Sequence, residues 1–229
     1  MDAAYVFVHS LLLGPLTWAP VADRLAGSVV PSLVEVADGE PPFWPDVARR
    51  VRDAVHRLPP GQPIVLVAHS NAGPLLPVVG AAVRRPVAGY VFADARLPAV
   101  VGPTPTSSPA RLDLLRPTAT GGRLPPWTTW WDEHEVAQLF PDPSTRAAIT
   151  AEQTRLPLSY YEQLIPVPPG WDARPCGFLL FSPAYEEMAR DARERGWEVG
   201  RIPGGHLHQV VDPDTVAARI TAMTTGWKT

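Results

Sequence analysis

Residues 64–68 read IVLVA, five apolar side chains in a row, bounded by PPGQP on one side and by His69 and Ser70 on the other. A strand with one wet face alternates apolar and polar residues; one without a polar position is buried on both faces. This run therefore asks for a sheet with helices above and below it. The rest of the chain supplies both kinds of element. AYVFVH (4–9), VAGYVFA (87–93), GFLLF (177–181) and WEVGRI (197–202) read as further strands. SVVPSLVEV (28–36) is a weaker extended candidate, because Pro31 fits an edge or an interruption better than a central strand. Helices are expected over 18–25, over 44–58 where Val47, Val51, Val55 and Leu58 recur at spacings of four or three, from Ser70 through Val83, over 185–195 and over 214–223. The alternation predicts an α/β fold with a mostly parallel central sheet and right-handed crossovers. With 229 residues, one compact domain (1–229) is the expectation.

The interval 97–171 breaks that alternation and predicts a small lid inserted above the C-terminal edge of the sheet. Its first part is rich in turn residues; WTTWWDEHEVAQLF and STRAAITAEQTRL read as short helices. Trp127, Trp130, Trp131, Phe140, Tyr160 and Tyr161 have two open uses here, as packing for a small subregion or as the lining of a substrate pocket. The chain holds 29 prolines, paired at 41, 59, 125 and 168, so long connections should be stiff without being regular.

Composition narrows the partners. Twenty basic against 23 acidic residues give a net charge of −3 with no basic block, which argues against nucleic acid and for a small neutral, hydrophobic substrate. No apolar run approaches the roughly 18 residues of a membrane span. The single cysteine, Cys176, cannot form an intramolecular disulfide, and no leader pattern stands at the N-terminus, so a soluble cytoplasmic protein is expected. No glycine-rich nucleotide fingerprint and no GKS or GKT run is present, and no cofactor is expected. Nothing in the sequence supports a homodimer.

The chemistry concentrates at Ser70. Ala68, Ala72 and Gly73 leave room for a strand to turn abruptly into a helix and expose a hydroxyl at the sheet edge, although the G-x-S-x-G form is absent. The alternative is a small structural serine at a strand end. A nucleophile here would use the Asn71 backbone N–H as one oxyanion donor and that of Leu11 as a second, with the neighbouring Leu12 a weaker choice. The base is expected in RIPGGHLHQVVDP, where Pro203 and two glycines can carry His206 back over the sheet edge; His208 is the alternative. His9 is expected to order the first loop and His69 to pack within the turn. The HxH pair lacks a third ligand, so no metal site is expected.

Together, VFVHSLLLGPLTW, LVAHSNAGPLLP, YVFADARLP and IPGGHLHQVVDP resemble the α/β-hydrolase superfamily, particularly its small capped esterases and lyases related to plant methylesterases and hydroxynitrile lyases. The resemblance implies a catalytic serine at Ser70, a histidine at His206, and oxyanion donors at Asn71 and Leu11. Ser10 departs from the usual glycine. Many relatives carry the acid just after the strand that here reads GFLLF, but this chain continues SPAYEEM. Others carry it after the preceding strand, which here is Asp94. Asp94 would then orient His206; its alternative is to tie down the turn before Leu97, with Glu186 and Glu187 as reserve acids. The expected function is hydrolysis of a small to medium hydrophobic or aromatic ester, thioester or lactone through an acyl-enzyme, with the lid aromatics and Leu12 binding substrate. The alternatives are a lyase, cyclase or isomerase using the same Ser/His pocket, and a ligand-binding protein with a weakly active site.

Overall fold

The computed structural model describes residues 3–227. Seven strands form: β1 (Ala4–Val8), β2 (Ile64–Ser70), β3 (Val87–Ala95), β4 (Thr104–Pro105), β5 (Leu164–Ile165), β6 (Cys176–Leu180) and β7 (Glu198–Arg201). β1, β2, β3, β6 and β7 lie side by side in that order, every pair parallel, and β4 pairs with β5 in a separate antiparallel ribbon. All seven residues of β2 are buried, as an interior strand covered on both faces requires.

Nine α-helices accompany the strands among the described residues: α1 (Ala19–Ala22), α2 (Trp44–Val55), α3 (Leu76–Ala82), α4 (Pro109–Leu115), α5 (Glu133–Ala137), α6 (Pro143–Ala151), α7 (Glu186–Glu194), α8 (His208–Val211) and α9 (Pro213–Thr224). Alternate strand residues feed two cores. Val6, Val8, Leu66, Phe92 and Phe178 pack with Val47, Val51 and Val55 of α2, Val79 of α3 and Ala189 of α7. On the opposite face Phe7, Val65, Val67 and Leu179 pack with Val21 of α1 and Val216 and Ile220 of α9. Each such side chain contributes roughly 1.5–3 kcal/mol on leaving water. α2 has the stripe its spacing predicts, with Arg49 and Arg50 facing outward and bonded to Asp46.

Segment 28–36 forms no strand. Only Val29 pairs, with its N–H donating to Tyr5 O (2.8 Å) and its O accepting from Phe7 N–H (2.9 Å), while Val34–Asp38 winds into a 3₁₀ turn. Pro31 has no N–H to extend a ladder. That single bridge still matters: the chain leaves β1 for Val29 on one side and then crosses to β2 on the other. The reversal puts a topological switch point between β1 and β2, where α/β sheets hold ligands beyond their C-terminal ends.

Residues 97–171 contribute α4, α5, α6 and the β4–β5 ribbon between β3 and β6. α4 falls in the part that reads as turns. Ser108 caps it by accepting from Arg111 N–H, and Pro109 opens it, a short-range signal outweighed in the sequence by the surrounding Pro, Thr and Ser.

Candidate active site

Ser70 ends β2 with φ +59°, and Asp94 near the end of β3 has φ +41°; among the described residues no other non-glycine residue has positive φ. Such backbone costs energy outside glycine and persists where the surroundings enforce it. At Ser70 the enforcement is close packing of the turn. A Cβ on Gly73 would lie 2.0 Å from Arg96 O, so only glycine lets the helix start this near β3. The Arg96 N–H also donates to Ser70 O (3.0 Å). At Asp94 the cause is a bulge: His69 pairs with Ala93 but Ser70 with Ala95, leaving Asp94 as the extra residue, and a bulge re-aims its side chain.

The bulge turns the Asp94 carboxylate beneath the β6 end. Oδ1 accepts from Phe181 N–H (2.7 Å), and Oδ2 accepts from Ser182 Oγ–H (2.5 Å) and from His206 Nδ1–H (3.1 Å). Ser182 N–H donates to both oxygens. The Asp94 carboxylate thus contacts His206 and fastens backbone at once, but that backbone belongs to the β6 loop and not to the turn before Leu97. With Nδ1–H on Asp94, the free lone pair of Nε2 faces Ser70 Oγ at 3.0 Å. Asp94 has no exposed surface, and the His206 side chain is 15% exposed.

His206 is held from below by the residue before Ser70. The His69 imidazole, fully buried, donates Nε2–H to His206 O (2.8 Å), and burial pushes its pKa well below the ordinary value. His69 therefore positions the His206 backbone, a role its sequence position does not announce. His208 lies elsewhere, opening α8 against Phe181, with Gly204 so close that a Cβ there would sit 2.2 Å from His208 Nδ1. Glu186 and Glu187 are also excluded as the orienting acid: they face outward on α7, paired with Arg201 (2.7 Å) and Arg190 (3.9 Å).

The oxyanion side corrects the expectation. Leu11 N–H does not face an empty site but donates to Asn71 Oδ1 (3.1 Å), which also accepts from Ser10 Oγ–H (2.9 Å). The Leu12 N–H donates to Ser10 Oγ (3.2 Å). Ser10 and Asn71 place polar side chains where a glycine and an apolar residue would leave the Leu11 amide open. His9 fixes the same loop, donating Nδ1–H to Ser10 O (2.8 Å) and accepting Leu33 N–H at Nε2 (2.9 Å). Full burial lowers its pKa to about 4.

Above these groups lies a cavity of about 560 Å³ reaching Ser70, Asn71 and His206. Leu12, Trp127, Trp131 and Tyr161 line it. Trp130, Phe140 and Tyr160 do not. Trp130 donates Nε1–H to Pro125 O, Phe140 is buried in the core, and Tyr160 donates its hydroxyl to Asn71 O (3.2 Å) while packing on Phe43. An aromatic-rich string fixes how much area must be covered, not which rings face the cavity. Arg96, Arg111 and Tyr185 also line it without having been singled out. Tyr185 stacks on the His206 ring at 5.0 Å and 4° and sets its hydroxyl 3.4 Å from Ser70 Oγ. The sequence marks it as the start of the helical segment 185–195, just past Ser182 and Ala184, which stand near the position of the acid in many relatives.

Among the described residues no group of three or more His, Cys, Asp or Glu side chains could hold a metal ion, and no helix is long and apolar enough to cross a membrane.

A serine at a strained strand–helix turn, a histidine after the last strand and a parallel sheet that reverses at β1/β2 define a class of fold. The model of the alpha/beta hydrolase family matches residues 5–219, and the chain belongs to that family. Among solved structures it is similar to a methylesterase from Arabidopsis (TM-score 0.65, 15% identity, covering 96% of this chain and 98% of that one). It is also similar to tomato methylketone synthase I in complex with β-ketoheptanoate (TM-score 0.74, 15% identity, 100% and 99% covered). A third similar structure is an extracellular alpha/beta-hydrolase from a Paenibacillus species (TM-score 0.71, 15% identity, 97% and 99% covered). No curated protein matches the sequence.

Proposed function

We propose that this chain is a serine hydrolase that cleaves small to medium hydrophobic or aromatic esters, thioesters or lactones through an acyl-enzyme. Family membership supports a hydrolase. The finer reading rests on one observation, the continuous path from Ser70 Oγ through His206 to the buried Asp94, with contacts of 3.0 and 3.1 Å. His206 Nε2 takes the Ser70 proton as Oγ attacks the carbonyl, and Asp94 stabilises the imidazolium that forms. His206 then protonates the leaving group, and water releases the acyl group by the reverse roles. Residues 97–171 act as a lid whose Trp127, Trp131 and Val136, with Leu12 opposite, favour an apolar acyl or alcohol group.

The test is a serine-directed fluorophosphonate read by intact mass and peptide mapping. One adduct on Ser70, absent from folded S70A, supports the assignment; an adduct that persists in S70A and maps elsewhere overturns it. A second reading has its own observation. With Leu11 N–H engaged, the site is one backbone oxyanion donor short, which also suits acid–base chemistry without an acyl-enzyme. One similar structure is a methylketone synthase, a label that belongs to that protein. Turnover in ¹⁸O-water separates the readings, because hydrolysis puts heavy oxygen into the acid product.

A further inference from the structure

The tetrahedral species formed at Ser70 needs hydrogen-bond donors around its oxyanion, and the described residues leave few. The Leu11 amide is bonded to Asn71 Oδ1. The orientation of that carboxamide is fixed by its partner: an N–H can only donate, so oxygen and not nitrogen faces Leu11. Leu12 N–H is taken by Ser10 Oγ. Asn71 Nδ2 is buried without a hydrogen-bond partner among the described residues and Asn71 N–H adjoins Ser70, but the side-chain hydroxyl that contacts Ser70 Oγ is that of Tyr185, at 3.4 Å.

We propose, resting on the acyl-enzyme reading above, that Tyr185 is a catalytic residue whose hydroxyl is the second oxyanion donor, in place of the Leu11 amide that Asn71 covers. The oxyanion hangs one carbon from Oγ, so a donor touching Oγ before attack is within reach of the new charge afterwards. As Oγ bonds to the carbonyl carbon, the Ser70 proton passes to His206 and the carbonyl π pair moves onto oxygen. Tyr185 donates a hydrogen bond to that oxygen and keeps its proton. When the carbonyl re-forms, the bond to the leaving group breaks and His206 returns the proton to it.

Three features fit the hydroxyl for this work. Its ring is stacked flat on His206, so it needs no reorganisation when charge develops. Its N–H donates to Ser182 O (3.2 Å), the residue that also clamps Asp94, so acid and donor hang from one short loop. Burial, seconded by the Asp94 charge, raises its pKa above that of an ordinary phenol, against the contact with Ser70, so it stays protonated as a donor.

The test compares wild type, Tyr185→Phe and Tyr185→Leu with a p-nitrophenyl ester and with an alkyl trifluoromethyl ketone, whose serine adduct carries an oxyanion. Y185F keeps the stacked ring and loses only the hydroxyl. It is expected to lower kcat about 10²–10³-fold with little change in KM, and to weaken the ketone by a similar factor. A folded Y185F within about threefold of wild type in both measurements, with Ser70 still labelled by fluorophosphonate, overturns the proposal and leaves the acyl-enzyme standing. A loss seen only in Y185L also overturns it, since the ring alone would then matter through His206. Wild type that turns over ester with no Ser70 adduct sinks the acyl-enzyme and this inference together.

Discussion

The C-terminal edge of the sheet and the insertion over it are built differently. At the edge, Ser70 and Asp94 sit on strands whose backbone fixes them, and the His206 loop is fastened by Gly204 N–H to Phe181 O (3.1 Å) and by His69. The insertion reaches the catalytic side mainly through side chains. Thr154 Oγ1–H donates to Leu11 O (2.6 Å) and Tyr160 O–H to Asn71 O (3.2 Å), with ring contacts such as Trp127 on Trp131 (4.6 Å) above them. Backbone ladders hold atoms to the tolerance that proton transfer needs. Aromatic packing tolerates rearrangement and suits a surface that receives substrate. The edge should therefore govern the chemical step and the insertion should govern binding.

The largest effects test that division directly. Ser70→Ala should reduce kcat on the order of 10⁴–10⁶-fold, and Asp94→Asn about 10³–10⁴-fold by presenting the wrong tautomer of His206, both with KM little changed. Glu186→Gln and Glu187→Gln should leave kcat near wild type, because neither side chain faces the site. Next, Trp131→Ala removes a cavity-lining ring that is 43% exposed, so it should raise KM about tenfold while kcat holds. Steady-state kinetics on one ester decides it: a W131A loss in kcat as deep as that of D94N breaks the division.

Acid should act on the edge through its buried imidazoles. His9 binds a proton near 6.5 when unfolded and only near pH 4 when folded. Below pH 6.5 the unfolded chain takes up protons that the fold refuses, so stability falls as pH drops through this window and is flat above it for this group. Urea midpoints at pH 7.5 and 4.5 should show His9 costing about 2–3 kcal/mol at the lower value, and His9→Gln should lose less than wild type. Equal losses would mean that His9 is not held neutral by burial. The smallest effect sharpens the oxyanion side. Asn71→Ala uncovers the Leu11 amide, so the penalty of Y185F should be softened, by about tenfold at most, in the N71A background.

The sequence carried the sheet because IVLVA, AYVFV and GFLLF are short apolar runs of strand length, rich in Val, Ile and Phe and bounded by turn residues or polar positions. It also carried the meeting of Ser70 with His206, since small residues around a serine and a Pro-Gly-Gly before a histidine are local signals of turns. Asp94 was reachable because the chain offers no acid immediately after GFLLF. Leu11 was misjudged for a reason no local pattern shows: its amide is covered by Asn71, a residue 60 positions away. Tyr185 was read as the start of an outward helix, and only the folding of the loop after β6 back across the end of β3 reveals its hydroxyl at Ser70. Trp130, Phe140 and Tyr160 could not be separated from Trp127 and Trp131 because packing rings and lining rings have the same composition.

The bulge at Asp94 has a corollary for the loop after β6. With the carboxylate on β3, the segment from Pro183 to Tyr185 carries no acidic side chain and hangs from Ser182, the residue that also holds Asp94. A change in the length or turn of this segment would therefore move the Tyr185 ring and the Asp94 clamp together. Under the proposed reading, relay and donor are one mechanical unit, and altering what meets a carbonyl there means re-seating the acid as well.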